Sequence, residues 1–320
     1  MPVSISTSAK SINTPLLKWY AHHGRNLPWR NTRDPYQILI SEIMLQQTQV
    51  ERVIPAYSRF LLTFPTIQEL AIASPMQVIQ AWQGLGYYRR AVRLHQLSQI
   101  ITNEMCGQIP TTVDELIKLP GIGHYTAAAV SCFAFNHQIA AIDVNVSRVL
   151  HRVLGKHQPS KSSSPTKHFQ SLTQHILPSG HAIKWNQALM DVGSMFCKSR
   201  APLCSTCPLV RTCNYSSIFE QSTHTQQPPL VQNTADASHK FHGSTRYFRG
   251  SVIRILSGLE TTEHITLDKL LNNINSQVEE QLKLSVKKFL ILLQNMANDG
   301  LIAQIKTQTT NELFAVKLPS

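Results

Sequence analysis

The stretch "CKSRAPLCSTCPLVRTC" holds four cysteines, Cys197, Cys204, Cys207 and Cys213, within 17 residues at the spacing C-x6-C-x2-C-x5-C. Four thiols in one compact loop suit a tetrahedral metal or a four-iron cluster, and either would fold the loop around a common centre. A zinc ribbon usually supplies two C-x2-C knuckles, and this run supplies one, so the tight single loop better suits an iron–sulfur cluster. Unrelated core cysteines are buried singly and do not usually gather beside cations such as Lys198, Arg200 and Arg211, which point the loop toward phosphate. Cys106 and Cys132 stand alone. In a chain of 320 residues, the clustered set reads as a metal site in a reducing compartment, not as a disulfide framework.

Charge narrows the partner. Residues 1–213 carry 20 Lys and Arg against 9 Asp and Glu, whereas residues 214–320 carry 10 against 9. A basic first two-thirds points to a polyanion, with nucleic acid the leading candidate. No run of about 18 apolar residues suggests a membrane span. The first thirty residues lack the apolar core of a secretory signal, so a cytoplasmic protein is expected.

The pattern is all-α from Pro15 to Cys213, with short amphipathic helices joined by turns that Pro and Gly mark. "GKHQPSKSSSPTK" reads as an exposed loop. Residues 214–240 are polar and low in aliphatics, as in a linker. Residues 241–320 change character: three helical segments precede a strand, a polar turn and a second strand, which predicts a small winged-helix-like domain. Three parts are therefore expected: residues 1–213 with the cysteine loop at 197–213, a linker at 214–240, and the tail.

Three further stretches could carry chemistry. In "LPGIGHYTAAAV", Gly121 and Gly123 let the backbone approach a ligand without a side chain between. The helix starting near His124 would then present free N–H groups to a phosphate. Glu42 sits inside an apolar helix, where desolvation favours its protonated form. Asp143, in "AAIDVNVSRVL", lies at a helix start whose dipole favours the anion. Two carboxyls in contrasting environments form the pattern of glycosidic-bond cleavage. Asp143 can also be read as an N-cap, and Glu42 as a solvated helix residue. In "GLGYYRR", either Tyr87 or Tyr88 could wedge into a base stack, with Arg89 and Arg90 on phosphates; a core tyrosine is the bland alternative.

These motifs occur together, and in this order, in one superfamily. Residues 16–213 resemble the helix–hairpin–helix DNA glycosylases with a carboxy-terminal iron–sulfur loop, a two-lobed fold. Within them, "SEIMLQQTQV", "GLGYYRRA", "LPGIGHYTAAA", "IDVNVSRVL" and the cysteine loop look like the motifs of MutY-type adenine DNA glycosylases. The resemblance implies removal of adenine mispaired with 8-oxoguanine or guanine. Glu42 would protonate the adenine, Asp143 would stabilise the oxocarbenium-like sugar, and Asn145 would orient Asp143. Gln46 and Gln47 would probe the stack around the flipped base, with Tyr87 as the wedge. Arg25, Leu27, Trp29, Arg30 and Gln187 would line the adenine pocket.

The resemblance further implies a [4Fe-4S] cluster on the four cysteines, double-stranded DNA as partner, a monomer, and a nucleoid-associated location in a bacterium. Endonuclease III-like lyases carry a lysine two residues past the second hairpin glycine. Tyr125 stands there and cannot form a Schiff base, so base removal without strand cleavage is expected. Two departures stand out. Val144 replaces the family's usual glycine between Asp143 and Asn145, and residues 240–320 look like a short-tailed form without the NUDIX-like domain. A thymine glycosylase for T·G mispairs, an endonuclease III-like lyase and a non-catalytic DNA-binding module are the rivals.

Overall fold

The computed structural model describes residues 5–155, 167–216, 241–260, 263–306 and 313–319. Among the described residues, eleven helices precede the cysteine loop. They are α1 (Ile5–His23), α2 (Pro35–Leu45), α3 (Val50–Thr63), α4 (Ile67–Ile72), α5 (Pro75–Ala81) and α6 (Arg89–Glu104), followed by α7 (Val113–Leu116), α8 (His124–Phe135), α9 (Val144–Val153), α10 (Lys167–Ile176) and α11 (Ala182–Met195). After the loop come α12 (Thr245–Leu256), β1 (Ile265–Thr266), α13 (Leu267–Asn275), α14 (Val286–Asn298), β2 (Ala303–Lys306) and β3 (Leu313–Lys317). The loop expected at 155–167 falls, from 156 to 166, outside the described residues, as does most of the expected linker. No helix among the described residues is long and apolar enough to cross a membrane.

The chain divides into two compact units, residues 1–42 with 109–229 and residues 43–108 with 230–320. In the first, Ile12 and Leu16 of α1 meet Val146, Val149 and Leu150 of α9 and Trp185, Leu189 and Val192 of α11 in one core. The Trp185 indole donates to Asn13 Oδ1 at 2.7 Å, which satisfies the polar edge of a fully buried ring. Helices α7 and α8 form the hairpin. Its turn contains Gly121 at φ +82°, a left-handed conformation that glycine adopts without a Cβ penalty. Helix α8 is then buried almost all round, which its Ala-rich sequence permits by letting neighbours approach closely.

In the second unit, capping boxes start two short helices: Thr66 with Glu69 for α4, and Ser74 with Gln77 for α5. Met76 and Ile79 of α5 share a core with Phe248, Val252, Leu270, Phe289, Leu293 and Val316 from the C-terminal residues. Those residues run α12–β1–α13–α14–β2–β3 and build an antiparallel sheet in the order β1-β3-β2. The expected three helices and hairpin are present. The third begins only at Val286, because Ser285 is extended at its N-cap and Glu280–Leu282 forms a separate 3-10 turn. Strand β1 adds a third strand that two residues could not signal by alternation.

Candidate active site

Glu42 lies on α2 and is buried. Its apolar neighbours in sequence, Leu39, Ile40 and Ile43, are buried too. Tyr125, in the first turn of α8, donates its phenol hydrogen bond to the carboxylate, while Oε2 of Glu42 is buried without a partner. Burial pushes the Glu42 carboxyl up to about 7; the Tyr125 bond and the Arg30 charge pull it down, and Asp143 pushes it further up. An acid in that range is half protonated at neutral pH and fit for proton transfer. Burial likewise pushes the Tyr125 phenol well above its ordinary value, helped by the charges of Glu42 and Asp143. Tyr125 therefore acts as a donor and not as a base.

Asp143 is held differently. It is the N-cap of α9, with Oδ1 accepting from Val146 N at 2.6 Å and Oδ2 accepting from Asn145 Nδ2 at 2.9 Å. The cap does not use up the carboxylate, because the residue is only half-buried. Asn145 Oδ1 in turn accepts from Arg148 Nη2 at 2.9 Å. The same guanidinium donates to the carbonyl of Cys197 at 2.6 Å and of Gly193 at 2.9 Å. Val144 points away, 63% exposed, so the departure from glycine at this position leaves the Asp143–Asn145 contact intact.

Arg25 and Arg30 do not stand free in a pocket wall. Both turn onto Asp191 of α11, which is wholly buried. Arg25 donates through its backbone N at 3.0 Å and Nε at 2.6 Å, and Arg30 through Nη1 and Nη2, each at 2.8 Å. Burial pushes the Asp191 carboxyl up, but the Arg30 hydrogen bonds and the arginine charges outweigh it, so the group lies below its ordinary range. One turn before Asp191, Gln187 accepts from the Tyr20 hydroxyl at 2.6 Å, and the Arg30 guanidinium lies 5.8 Å from the Tyr20 ring. Leu27 and Trp29 are buried in the same segment. Asp191 and Tyr20 were missed in the sequence; the only available signal was the i, i+4 spacing that places Gln187 and Asp191 on one face of α11.

The four cysteine thiols line one cavity with Val149, Arg152, Phe196, Leu203 and Tyr215. Among the described residues no three His, Cys, Asp or Glu side chains converge as a single ion requires. Burial pushes the Cys207 thiol up to about 11, with the three other cysteines adding to the rise. Arg152 straps the loop to α9, donating to the Lys198 carbonyl at 2.7 Å and to Cys197 Sγ at 3.3 Å.

At the hairpin, Gly123 and His124 are exposed, and α8 has no side-chain cap. A Cβ on Gly123 would meet nothing within 4 Å. The fold itself therefore does not demand glycine there, and open backbone is left for a ligand.

In the second unit, Gln46 is half-buried and Gln47 exposed, with Gln47 at φ +57° in the turn that separates α2 from α3. The two tyrosines separate cleanly. Tyr88 packs against the apolar core, whereas Tyr87 is 39% exposed at φ +47°. Arg90 is not a phosphate contact: it is buried, and donates to the carbonyls of Ile43, Met44, Gln46 and Gly86 at 2.6–3.1 Å and to Thr48 Oγ1 at 2.9 Å. One guanidinium thus holds both left-handed turns.

Residues 40–174 match the family model described as HhH-GPD superfamily base excision DNA repair protein. An adenine DNA glycosylase of Mycolicibacterium smegmatis is 38% identical over 242 residues, covering 75% of this chain and 78% of that protein. The adenine DNA glycosylase of Buchnera aphidicola subsp. Baizongia pistaciae is 41% identical over 199 residues, 62% of this chain, which spans 56% of that relative's length. A solved thermostable thymine-DNA glycosylase superposes with a TM-score of 0.63 at 29% identity, over 68% of this chain and 100% of that one.

Proposed function

Because the chain belongs to the adenine DNA glycosylase family of the HhH-GPD superfamily, we propose that it releases adenine mispaired with 8-oxoguanine or guanine. The reaction is hydrolysis of the N-glycosidic bond without strand cleavage. One observation carries this reading: Glu42 is buried, holds a proton near neutral pH, and is backed by a tyrosine hydroxyl.

The steps follow from the two carboxyls. Adenine leaves poorly until its ring is protonated, and Glu42 supplies that proton. As the carboxylate forms, the Tyr125 hydroxyl and the Arg30 charge stabilise it. Asp143, oriented by Asn145 and by the Val146 N–H, stabilises the positive sugar, and water completes the hydrolysis. Tyr125 carries no amine, so no Schiff base forms and the strand stays whole. Gln187 and Tyr20, fixed beside the Asp191–Arg30 pair, supply polar contacts for the flipped base.

Cys197, Cys204, Cys207 and Cys213 would hold a [4Fe-4S] cluster, which would cross-link the loop that Arg148 and Arg152 tie to α9. The protein acts on double-stranded DNA, as a monomer in the cytoplasm, and beside the nucleoid where the source is a bacterium.

The test incubates the protein with duplexes carrying A·8-oxoguanine, A·G or T·G and then adds alkali. Breakage at A opposite 8-oxoguanine and G is expected. Breakage only at T, or breakage at A before alkali, would replace this reading with the thymine enzyme or the lyase.

A further inference from the structure

Tyr87 is exposed on a loop whose two glycines, Gly84 and Gly86, lie at φ +87° and +68°. Its ring is not bare. The guanidinium of Arg246, in the first turn of α12, lies 4.2 Å from the ring centroid and donates to the Tyr87 hydroxyl at 3.1 Å. Beyond it, Phe241, 44% exposed, lies 5.8 Å from the same guanidinium and packs edge-on against Tyr247 at 5.8 Å. Ring, cation and ring thus alternate along one surface. Among the described residues no carboxylate pairs with Arg246, whereas Arg89 and Arg249 both spend their charge on Asp299.

We propose that Tyr87, Arg246 and Phe241 form a stacking site for an unstacked base of mismatched duplex DNA, two of its three members coming from the C-terminal winged-helix-like residues. The chemistry is that of single-strand binders, where bases stack on aromatic faces and arginine adds cation–π attraction. A base needs about 3.4 Å of thickness, and it enters between Tyr87 and Arg246, leaving the guanidinium on its outer face with Phe241 behind. Arg246 can swing by that amount because it is exposed on a long side chain at the start of α12. The anchor is firm: Ser244 caps α12 through the Tyr247 N–H at 3.2 Å, and Arg52 holds the Gly84 carbonyl at 2.6 Å. Tyr88, next to the wedge, is locked into the core that α12 also enters.

The inference rests on the glycosylase reading only for the choice of duplex. The experiment uses the full chain and two duplexes: one with a 2′-fluoro-deoxyadenosine opposite 8-oxoguanine, which resists cleavage, and one fully paired. Arg246→Ala is expected to weaken mismatch binding about tenfold and to change binding of the paired duplex by less than about threefold. Arg246→Lys should not restore it, because an ammonium is a point charge and does not stack. Combined with Tyr87→Ala, Arg246→Ala should cost clearly less than the product of the two single losses, as coupled partners do. Equal losses on both duplexes, full rescue by lysine, or independent effects would each overturn the stacking site and leave Arg246 a phosphate contact. Wild-type protein that binds the mismatch selectively but releases no adenine from a cleavable duplex would overturn the glycosylase reading while leaving this one standing.

Discussion

The Arg148 guanidinium donates to the Cys197 carbonyl at 2.6 Å, and through its other arm to Asn145, which holds Asp143. The first cysteine of the loop and the Asp143 carboxylate are therefore three hydrogen bonds apart along one chain of contacts. Removing the guanidinium takes away one of the two bonds that orient the Asn145 amide and the donor to the Cys197 carbonyl. Hydrogen bonds to charged groups contribute about 1.5–3 kcal/mol each. Arg148→Ala should therefore slow single-turnover adenine release by about 10- to 100-fold with a much smaller change in DNA affinity. Comparable losses in both would place Arg148 on the DNA instead.

Glu42 ties both rate and stability to pH, and both fall as pH rises. Its carboxyl is raised from 4.5 to about 7, so the acid form needed for release is lost as pH rises through 7, and the rate should fall with an apparent pKa near that value. In the folded state the group binds protons that the unfolded chain has already released between pH 4.5 and 7. Stability therefore declines as pH rises through that window. Glu42→Gln mimics the neutral acid. It should abolish release yet raise the melting temperature at pH 8, by the equivalent of about 1–3 kcal/mol, with little change at pH 5. A variant less stable at pH 8 would contradict a carboxylate whose charged form is destabilised by burial.

Asp191 gives the reverse sign. Its carboxyl is held below the ordinary range by Arg30 and Arg25, so its contribution is present above the unfolded carboxylate range near 4 and is lost as pH falls through the lowered value. Asp191→Asn leaves two guanidiniums partly buried without their counter-charge. A loss of about 3–5 kcal/mol in chemical denaturation is expected, as for other broken buried pairs. A change under 1 kcal/mol would mean that solvent screens the pair.

Gly193 is the close-approach glycine of this site: a Cβ there would lie 2.9 Å from Asn145 Cβ. Alanine gains about 1 kcal/mol of helix propensity while displacing Asn145. Gly193→Ala should consequently reduce adenine release at least tenfold while the melting temperature stays within a few degrees. Full activity would show that α9 yields without moving Asp143.

How much of this was legible in the chain follows from where each signal resides. Glu42, Asp143 and the four cysteines announce themselves through local chemistry: a carboxyl in an apolar run, an N-cap, a spacing. The C-terminal helices and hairpin were readable from composition and alternation. Asp191, Tyr20, Arg148 and Arg246 were not, because each acquires its role from a partner far along the chain; Asp191 meets Arg25 across 166 positions. Arg90 was misread for the same reason: a basic residue after two tyrosines looks like a phosphate contact until its backbone acceptors at residues 43–46 are seen. Local chemistry leaves Tyr87 and Tyr88 equal, and only the resemblance singles out Tyr87; the structure separates them by packing Tyr88 against the core.

In the proposed reaction, Tyr125 is the residue that keeps the strand whole. Its hydroxyl donates to Glu42, and a lysine at that position would put an amine beside the same carboxyl. Two effects then compete: burial lowers the amine's pKa, while a charged Glu42 raises it. The free amine can attack the sugar carbon as adenine departs, forming an imine that borohydride reduces to a stable crosslink. Tyr125→Lys should yield such a crosslink to the A·8-oxoguanine duplex, with strand breakage before alkali, at a rate well below that of base release. Unmutated protein should give neither. Crosslinking by the unmutated protein would require another amine at the sugar and would remove Tyr125 as the residue that separates base release from strand cleavage.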